Sequence, residues 1–300
     1  MEATKEKEHL PLLAVIVLTK NEEANLERCL MSLAPLRADV VVVDSGSTDR
    51  TVEIAEAHGV RVLRHPWKNH AAQLNWAIEH LDSEAPWVAR FDADEYLTTE
   101  LAAELLSTLP KLPVDCTGLM AKFRIIFLGR WIKHGGTYPT WLLRIWRRGK
   151  ARCEDRWMDE YMVLDSGVVA KLENDFVNDN RKGLSAWTEK HNDYSSRELL
   201  DLLQSTLPIS NDRLAGQLAR RRWAKKSLYN RSPLFLRAFA YWFWRYVVRF
   251  GFLDGKVGFV HYFLQTFWYR VLVDAKILEH QMSERERASS QVRDPDNSIS

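Results

Sequence analysis

The sequence predicts an α/β fold: a mostly parallel sheet flanked by helices and followed by a helical, amphipathic appendage. Residues 12–108 alternate four times between strand-like and helix-like segments with short links, which is typical of parallel strands joined by right-handed crossovers. The strand-like segments are continuous apolar runs, as in strands covered on both faces. From residue 213 onward basic and aromatic residues interleave, which indicates a separate helical region.

Local patterns define the individual elements. The predicted strands cover residues 13–18, 40–43, 60–63, 87–91, 119–127 and 140–146, and the predicted helices cover residues 21–33, 51–58, 71–81, 98–108 and 184–203. Helix 21–33 has apolar residues at positions 26, 29, 30 and 33, which share one helical face. Gly59 ends the second helix, as a glycine just after a helix often does.

Composition places the chain among ordinary globular proteins. It has 300 residues, 46% hydrophobic and 27% charged, and its formal net charge of +2 gives no overall field for nucleic acid. Cys29, Cys116 and Cys153 form neither a zinc motif nor a disulfide framework, which favours a reducing compartment. The apolar segment 10–18 follows a start of mixed charge and lacks a small-residue cleavage site, so we expect a buried strand there and not a targeting segment.

Three carboxylates follow the fourth predicted strand: Asp92, Asp94 and Glu95. Ligands bind at the C-terminal ends of strands in open parallel sheets, and acids spaced Asp-x-Asp can hold a divalent cation that is shared with substrate phosphates. An isolated Asp-x-Asp is more often a solvated turn. Here two neighbouring strands also end in polar segments, residues 19–23 and 44–49, and the combination favours a ligand site.

These motifs resemble the inverting glycosyltransferases of family 2, which have the GT-A fold. The matching segments are residues 15–22, 42–51, 73–75 and 91–95. Later segments, 129–144 and 152–161, resemble a subgroup that includes lipopolysaccharide-core β-glucosyltransferases. We therefore expect four regions: an N-terminal tail (1–9), a GT-A catalytic domain (10–180), a helical membrane-interface and acceptor region (181–280) and a disordered tail (281–300).

The resemblance also implies roles for single residues. It implies that the nucleotide-sugar donor, expected to be a UDP-hexose, contacts Thr19, Asn21, Glu22, Asp44, Gln73 and Asp92. It implies Mg²⁺ or Mn²⁺ on Asp94 and Asp92, where a divalent ion would stabilise the departing diphosphate as a Lewis acid. The chemistry of four later residues suggests acceptor binding, although each is about as suited to a structural role: Trp131, His134, Tyr138 and Arg144.

An inverting transfer also needs a general base for the acceptor hydroxyl. The family places this base in an acidic motif after the Asp-x-Asp, and residues 154–160 contain four acids. We predict Glu160 as the base and Asp159 as the next choice, because residues 157–160 best match the subgroup's site. Asp159 stands where histidine is more usual in the family.

The basic and aromatic block, residues 213–256, suits a membrane-surface helix, a nucleic-acid site or a helix packed on the catalytic domain. Its apolar fraction favours an anionic membrane surface over nucleic acid, and its uncharged runs are shorter than the roughly 20 residues that span a bilayer. We expect a cytoplasmic enzyme, peripheral on the inner face of the cytoplasmic membrane, that moves a hexose to a lipid-linked saccharide or polysaccharide precursor.

Four alternatives remain open. Transfer to a polyprenyl phosphate would need no strong base, because that acceptor is already ionised. A processive synthase would need several spanning helices, and a nucleotidyltransferase would need a glycine-rich basic loop that the sequence lacks. A non-catalytic sugar- or lipid-binding module is disfavoured by the pair of Asp92 and Asp94.

Overall fold

The structure is a computed structural model that describes residues 11–154, 161–204, 229 and 232–293. Within these residues the strands are β1 (Leu13–Thr19), β2 (Asp39–Asp44), β3 (Arg61–Arg64), β4 (Trp87–Asp92), β5 (Glu95–Leu97), β6 (Cys116–Phe127), β7 (Arg130–Ile132), β8 (Thr140–Arg147), β9 (Ala151–Cys153), β10 (Met162–Leu164) and β11 (Val168–Asn178). The α-helices are α1 (Leu26–Leu33), α2 (Thr51–Ala57), α3 (His70–Glu79), α4 (Thr99–Thr108), α5 (Gly183–Gln204), α6 (Leu236–Phe243), α7 (Gly255–Tyr262) and α8 (Tyr269–Arg293).

The main sheet has the strand order β3-β2-β1-β4-β8-β6-β11-β5, and β7 pairs with β6 at its side. The first four strands of this order are parallel, as predicted. β8 then joins both β4 and β6 in antiparallel pairing, whereas β6 and β11 are parallel. The predicted α/β class is confirmed, and the second half of the chain makes the complete sheet mixed.

β1 is buried at all seven positions because helices cover both faces of the sheet. Its odd-numbered apolar residues pack with α1 and α4, and its even-numbered ones pack with α3, as the alternation of side chains along a strand requires. The register places Thr19 beside Asp44 and Leu18 beside Asp92. The ends of three neighbouring strands therefore meet at one edge of the sheet.

Helix α1 begins at Leu26 and not at residue 21. Asn21 has a φ of 53°, in the left-handed region, which interrupts a helix. The carbonyl oxygen of Glu22 then accepts hydrogen bonds from the backbone N–H groups of Asn25 and Leu26. The segment between β1 and α1 is therefore a turn that presents its polar side chains at the sheet edge.

The C-terminal helices pack where β6 and β7 meet. Asp254 is 2% exposed and accepts hydrogen bonds from the backbone N–H groups of Lys133 and His134 and from His134 Nδ1. Tyr262 is fully buried and donates to the carbonyl oxygen of His134. Residues 232–293 thus form the predicted helical appendage, which is docked on the sheet.

α8 continues to Arg293, into the segment 281–300 for which the sequence predicts disorder. An ion pair one turn apart, between Glu284 and Arg287, lies on this part of the helix. β11 ends at Asn178 and α5 begins at Gly183, on either side of the expected boundary after residue 180. Among the described helices, none combines the length and the hydropathy that crossing a bilayer requires.

Candidate active site

Asp92 and Asp94 lie where β4 ends and turns toward β5, and both line a cleft of about 760 Å³. Residues of α5 and of the appendage line the same cleft. The carboxylates are at the C-terminal edge of the parallel strands, which is where ligands bind in open α/β sheets. The predicted centre of the site therefore opens into a cavity large enough for a substrate.

Cations surround Asp92, whose side chain is 36% exposed. Its Oδ1 lies 3.3 Å from Arg90 Nη2 and 3.5 Å from His70 Nε2. Loss of hydration opposes the negative charge, but Arg90, His70 and Arg144 outweigh it and hold the pKa of Asp92 well below its usual range. His70, which the sequence reasoning missed, is the first residue of α3 and follows the N-cap residue Asn69.

Asp94 and Glu95 have different surroundings. Asp94 is 7% exposed and accepts a hydrogen bond from Asn180 Nδ2 at 3.1 Å. Glu95 is 1% exposed, with Oε1 2.5 Å from Arg144 Nη2 and Oε2 accepting from the backbone N–H of Asp92. Burial raises the pKa of Glu95, and Arg144 opposes this shift. Glu95 therefore ties the turn to β8, while Asp92 and Asp94 remain for a ligand.

Asp92 and Asp94 offer the oxygen ligands that Mg²⁺ and Mn²⁺ prefer. Mg²⁺ commonly takes one or two carboxylates and completes its coordination with water and substrate phosphates. Within the part of the chain that the structure describes, no group of three or more His, Cys, Asp or Glu side chains is arranged to hold a metal. The residues therefore fit an ion shared with a phosphate ligand and do not fit a closed protein cage.

The ends of β1 and β2 are joined through Asp44. Its buried carboxylate accepts from Thr19 Oγ1 at 3.1 Å, from the N–H groups of Gly46 and Ser47 at 2.9 Å each, and from Ser47 Oγ at 2.5 Å. Four donors occupy about as many positions as a carboxylate offers. Asp44 therefore shapes the turn after β2, and a nucleobase that bound to it would displace one of these donors.

Asn21 and Glu22 lie on the same edge as Asp44. Asn21 is exposed, and its Oδ1 accepts a hydrogen bond from the N–H of Thr48 at 2.8 Å. Glu22 lies 2.5 Å from Lys182 Nζ. Burial raises the pKa of Glu22, and its hydrogen bonds with Asn25 and Lys182 oppose this. The loops after β1 and β2 are thus connected to each other and to the start of α5.

Gln73, the last of the predicted donor contacts, is fully buried on α3. Its Oε1 lies 2.8 Å from His65 Nδ1, and its Nε2 donates to the carbonyl oxygen of His65 at 3.3 Å. His65 follows directly after β3. Gln73 therefore fixes the end of β3 against α3.

Among the described residues that line the cleft, Arg144 is the one predicted acceptor contact. Tyr138 donates to the carboxylate of Asp175 at 3.0 Å, and Trp131 packs edge-on against Tyr138. His134 is held by the appendage at 2.7 Å. These three side chains have partners within the protein, so acceptor binding by them remains a prediction while their structural role is observed.

Helix α5 supplies a wall of the cleft that the sequence reasoning missed. Trp187, Lys190, His191 and Tyr194 all line it, and their spacing of three, four and seven residues is that of one helical face. The rings of Trp187 and His191 stack with centroids 3.5 Å apart, and His191 Nε2 lies 3.0 Å from Gln265 Oε1 of the appendage. In the sequence this cleft-lining face is visible as a polar and aromatic stripe within a helix of mixed charge.

The predicted base residues Glu160 and Asp159 lie outside the described residues, in the connection 155–160 between β9 and β10. The strands on either side pair as an antiparallel hairpin. Asn75 of α3 donates to the carbonyl oxygen of Cys153 at 2.9 Å and accepts from its N–H at 2.8 Å. The start of this connection is therefore fixed to α3.

A sheet of this kind, with paired carboxylates at the end of β4 facing a cleft, is the arrangement that the GT-A class leads one to expect. The sequence model of glycosyl transferase family 2 matches residues 14–163, which is half of the chain. The chain therefore belongs to glycosyltransferase family 2 and is an enzyme of the transferase class, as the sequence motifs predict.

Two curated relatives show the range of similarity. The chain is 35% identical over 148 residues to the lipopolysaccharide core biosynthesis glycosyltransferase LpsC of Rhizobium meliloti (strain 1021), covering 48% of this chain and 53% of that protein. It is 39% identical over 93 residues to an uncharacterized glycosyltransferase of Rickettsia bellii (strain RML369-C), covering 31% of each. The matched part is thus about half or less of each relative's length.

Two solved structures show weaker similarity. Residues 1–349 of S. aureus TarS align over 89% of this chain and 91% of that chain, with 14% identity and a TM-score of 0.46. Glucosyl-3-phosphoglycerate synthase from Mycobacterium tuberculosis, solved with Mn²⁺, UDP and glucosyl-3-phosphoglycerate, aligns over 41% of this chain and 47% of that chain, with 25% identity and a TM-score of 0.33. Neither similarity is close enough to transfer a ligand or the role of a residue.

Proposed function

We propose that this protein is a metal-assisted inverting glycosyltransferase of cell-envelope synthesis. It moves a hexose, with glucose from UDP-glucose as the first candidate, to a glycolipid or polysaccharide-precursor acceptor. One observation carries the proposal: Asp92 and Asp94 line the same cleft at the end of β4. The similarity to a lipopolysaccharide core glycosyltransferase supports the class of acceptor.

The donor lies along the C-terminal edge of the sheet in this proposal. Thr19, Asn21, Glu22 and Asp44 at the ends of β1 and β2 offer hydroxyl, amide and carboxylate groups to a nucleoside, and Gln73 supports this edge from α3. Asp94 and Asp92 would hold the divalent ion. When bound, Mg²⁺ or Mn²⁺ stabilises the negative charge that develops on the departing diphosphate.

The acceptor hydroxyl attacks the anomeric carbon from the face opposite the leaving diphosphate, and Glu160 or Asp159 removes its proton. The position of the hairpin supports this assignment. Asn75, which fixes the start of the connection 155–160, lies five residues after His70 on α3, about 7.5 Å along the helix axis. Because His70 lies 3.5 Å from Asp92, the helix that reaches Asp92 also holds Cys153 at the end of β9.

The appendage supports the further proposal that the enzyme is cytoplasmic and peripheral on the inner face of the cytoplasmic membrane. Twelve large apolar side chains between residues 235 and 263 are exposed: Phe235, Leu236, Phe239, Phe243, Trp244, Val247, Val248, Phe250, Phe252, Leu253, Phe259 and Phe263. Exposed apolar side chains concentrated in one segment in this way mark an interaction site. Exposed Arg249 and Lys256 lie among these residues, so the surface suits anionic lipid and not a nucleic acid.

A thermal-shift screen tests the proposed function. We expect UDP-glucose to raise the melting temperature in the presence of Mn²⁺ and to have a smaller effect in EDTA, while GDP-mannose leaves it unchanged. Asp94→Asn should remove the Mn²⁺-dependent part of the shift with little loss of stability, since one described hydrogen bond, from Asn180, reaches this carboxylate. If no nucleotide sugar stabilises the wild-type protein with or without metal, the proposed function is wrong.

A further inference from the structure

Four cationic side chains line the cleft: Arg144, Arg181, Lys190 and Arg245. Three of them are engaged by the protein itself. Arg144 pairs with Glu95, Arg181 lies 3.5 Å from Asp179, and Arg245 donates to Thr137 Oγ1 and Tyr241 Oη.

Lys190 differs from the other three cations. Within the described part of the chain, no carboxylate lies within 4.0 Å of its ammonium group, and its one described aromatic contact is the ring of Tyr194 at 5.6 Å. Loss of hydration opposes the charge of this exposed side chain, but Tyr194 and the carboxylates Asp94, Asp92 and Glu22 outweigh this and raise the pKa of Lys190. The ammonium group of Lys190 interacts with these carboxylates at a distance but forms an ion pair with none of them. It is therefore available to an anionic ligand.

The charge balance of the site indicates which anion this is. A divalent ion would cancel the charges of Asp92 and Asp94, and a departing diphosphate would bring further negative charge into the cleft. Lysine is a compact point charge on a flexible stem, which suits a phosphate whose charge grows during the reaction. Lys190 is on α5 and lines the same cleft as Asp92 and Asp94, so it can act on a phosphate that is bound there.

We propose that Lys190 binds the phosphate of the donor that is attached to the sugar and stabilises it as the leaving group. This rests on the proposed function. In the reaction the bond between the anomeric carbon and the phosphate oxygen breaks, and its electron pair stays on that oxygen. The acceptor oxygen bonds to the anomeric carbon, and its proton goes to the carboxylate base. Lys190 keeps its proton throughout and contributes charge alone.

The test measures binding of UDP and UMP by calorimetry with Mn²⁺ present. Lys190→Met removes the charge at nearly constant length, Lys190→Arg keeps it, and Lys171→Met is the matched control, because Lys171 is exposed and lies 5.0 Å from the ring of Trp141 and not along the cleft. We expect Lys190→Met to weaken UDP about tenfold or more, as loss of a charged hydrogen bond does, and to leave UMP unchanged. Lys190→Arg should restore most of the affinity, and Lys171→Met should match the wild type.

Turnover adds a second readout. Hydrolysis of UDP-glucose without acceptor should fall for Lys190→Met, since the loss concerns the leaving group and not the acceptor. Unchanged UDP binding and unchanged hydrolysis would overturn the role of Lys190 and point to an anionic group of the acceptor instead. Equal losses for UDP and UMP would also overturn it. If the wild-type protein binds neither UDP nor UMP, the proposed function itself is wrong. That outcome differs from the one in which the wild type binds UDP and only the role of Lys190 is wrong.

Discussion

Glu160 and Asp159 are neighbours in sequence, and matched amide substitutions decide which of them is the base. We expect Glu160→Gln to lower turnover by roughly 100-fold or more, because general-base catalysis contributes about that much, with donor affinity unchanged. Asp159→Asn should have a clearly smaller effect. The measurement is steady-state transfer together with calorimetric binding of UDP, and near-normal turnover of Glu160→Gln would exclude it as the base.

His261 makes stability depend on pH. It is 5% exposed, its Nδ1 has no hydrogen-bond partner among the described residues, and burial lowers its pKa to about 4, with Arg245 and His191 adding to the shift and Asp254 opposing it. A buried neutral histidine binds its proton more readily in the unfolded chain. The free energy of unfolding should therefore fall as the pH drops from about 6.5 to about 4, by roughly 3 kcal/mol if His261 acts alone.

Urea denaturation at pH 7, 5.5 and 4 measures this dependence. The control variant is His261→Phe, which places an aromatic ring beside Phe127, whose own ring centroid lies 5.1 Å from that of His261. In this variant the free energy of unfolding should depend much less on pH between 6.5 and 4. If wild type and variant lose stability in parallel over this range, His261 is not the group responsible.

The sequence identified Asp92 and Asp94 because both follow a strong apolar strand, and the ends of parallel strands meet at one edge. It did not identify Lys190 or His261, because they reach the cleft from helices remote in sequence and their neighbours are known only from tertiary packing. The acceptor predictions show the opposite case. Tyr138 has the chemistry to stack on a sugar, but the structure assigns its hydroxyl to Asp175.

The helices of the appendage have two chemically different faces. On α7 and the turn that follows, His261 and Tyr262 point toward the cleft and the sheet, whereas Phe259 and Phe263 are 46% and 40% exposed. The two exposed rings stack with centroids 6.1 Å apart. Such a helix can contact lipid on one side and substrate on the other without spanning the bilayer.

Flotation with vesicles of phosphatidylglycerol and phosphatidylcholine tests the outer face. Changing both Phe259 and Phe263 to Glu should lower binding more than tenfold, since burying each ring contributes roughly 1.5–3 kcal/mol. Met31→Glu and Val114→Glu alter equally accessible apolar residues elsewhere, 63% and 87% exposed, and should bind as the wild type does. Equal binding by all four proteins would remove the support for a membrane surface here.

β11 shows why the second half of the fold was harder to predict than the first. Its middle, Glu173-Asn174-Asp175, breaks the apolar pattern of a buried strand. In the structure Glu104 of α4 accepts hydrogen bonds from the N–H groups of Glu173 and Asn174, at an irregularity in the pairing with β6. A strand whose polar residues have partners on a distant helix cannot be recognised from its own sequence. β1 can, because it is apolar from Leu13 to Leu18.

The loop of residues 133–137 is one of the places where the sheet and the appendage meet, beside the contact between Phe127 of β6 and His261. Its Gly135 donates to the carbonyl oxygen of Arg249 at 2.9 Å, and Thr137 shares a hydrogen bond with Tyr262 at 3.0 Å. Gly135 has a φ of +59°, and a Cβ atom there would lie 2.4 Å from the ring of Tyr262. Any side chain at this position would therefore clash with Tyr262.

Gly149 provides the matched control, because its φ is +69° but nothing lies within 4 Å of a Cβ placed there. Gly149→Ala should therefore cost only the backbone strain, about 1–2 kcal/mol. Gly135→Ala should cost roughly 2 kcal/mol more, because the added methyl group also overpacks against Tyr262.

Urea denaturation followed by tryptophan fluorescence and by circular dichroism measures both changes. We expect one shared transition in the wild type, because the appendage contributes buried residues to the same structure, and a separate early transition in Gly135→Ala where the appendage detaches. Equal destabilisation by the two variants would show that docking of the appendage on the sheet does not depend on this contact.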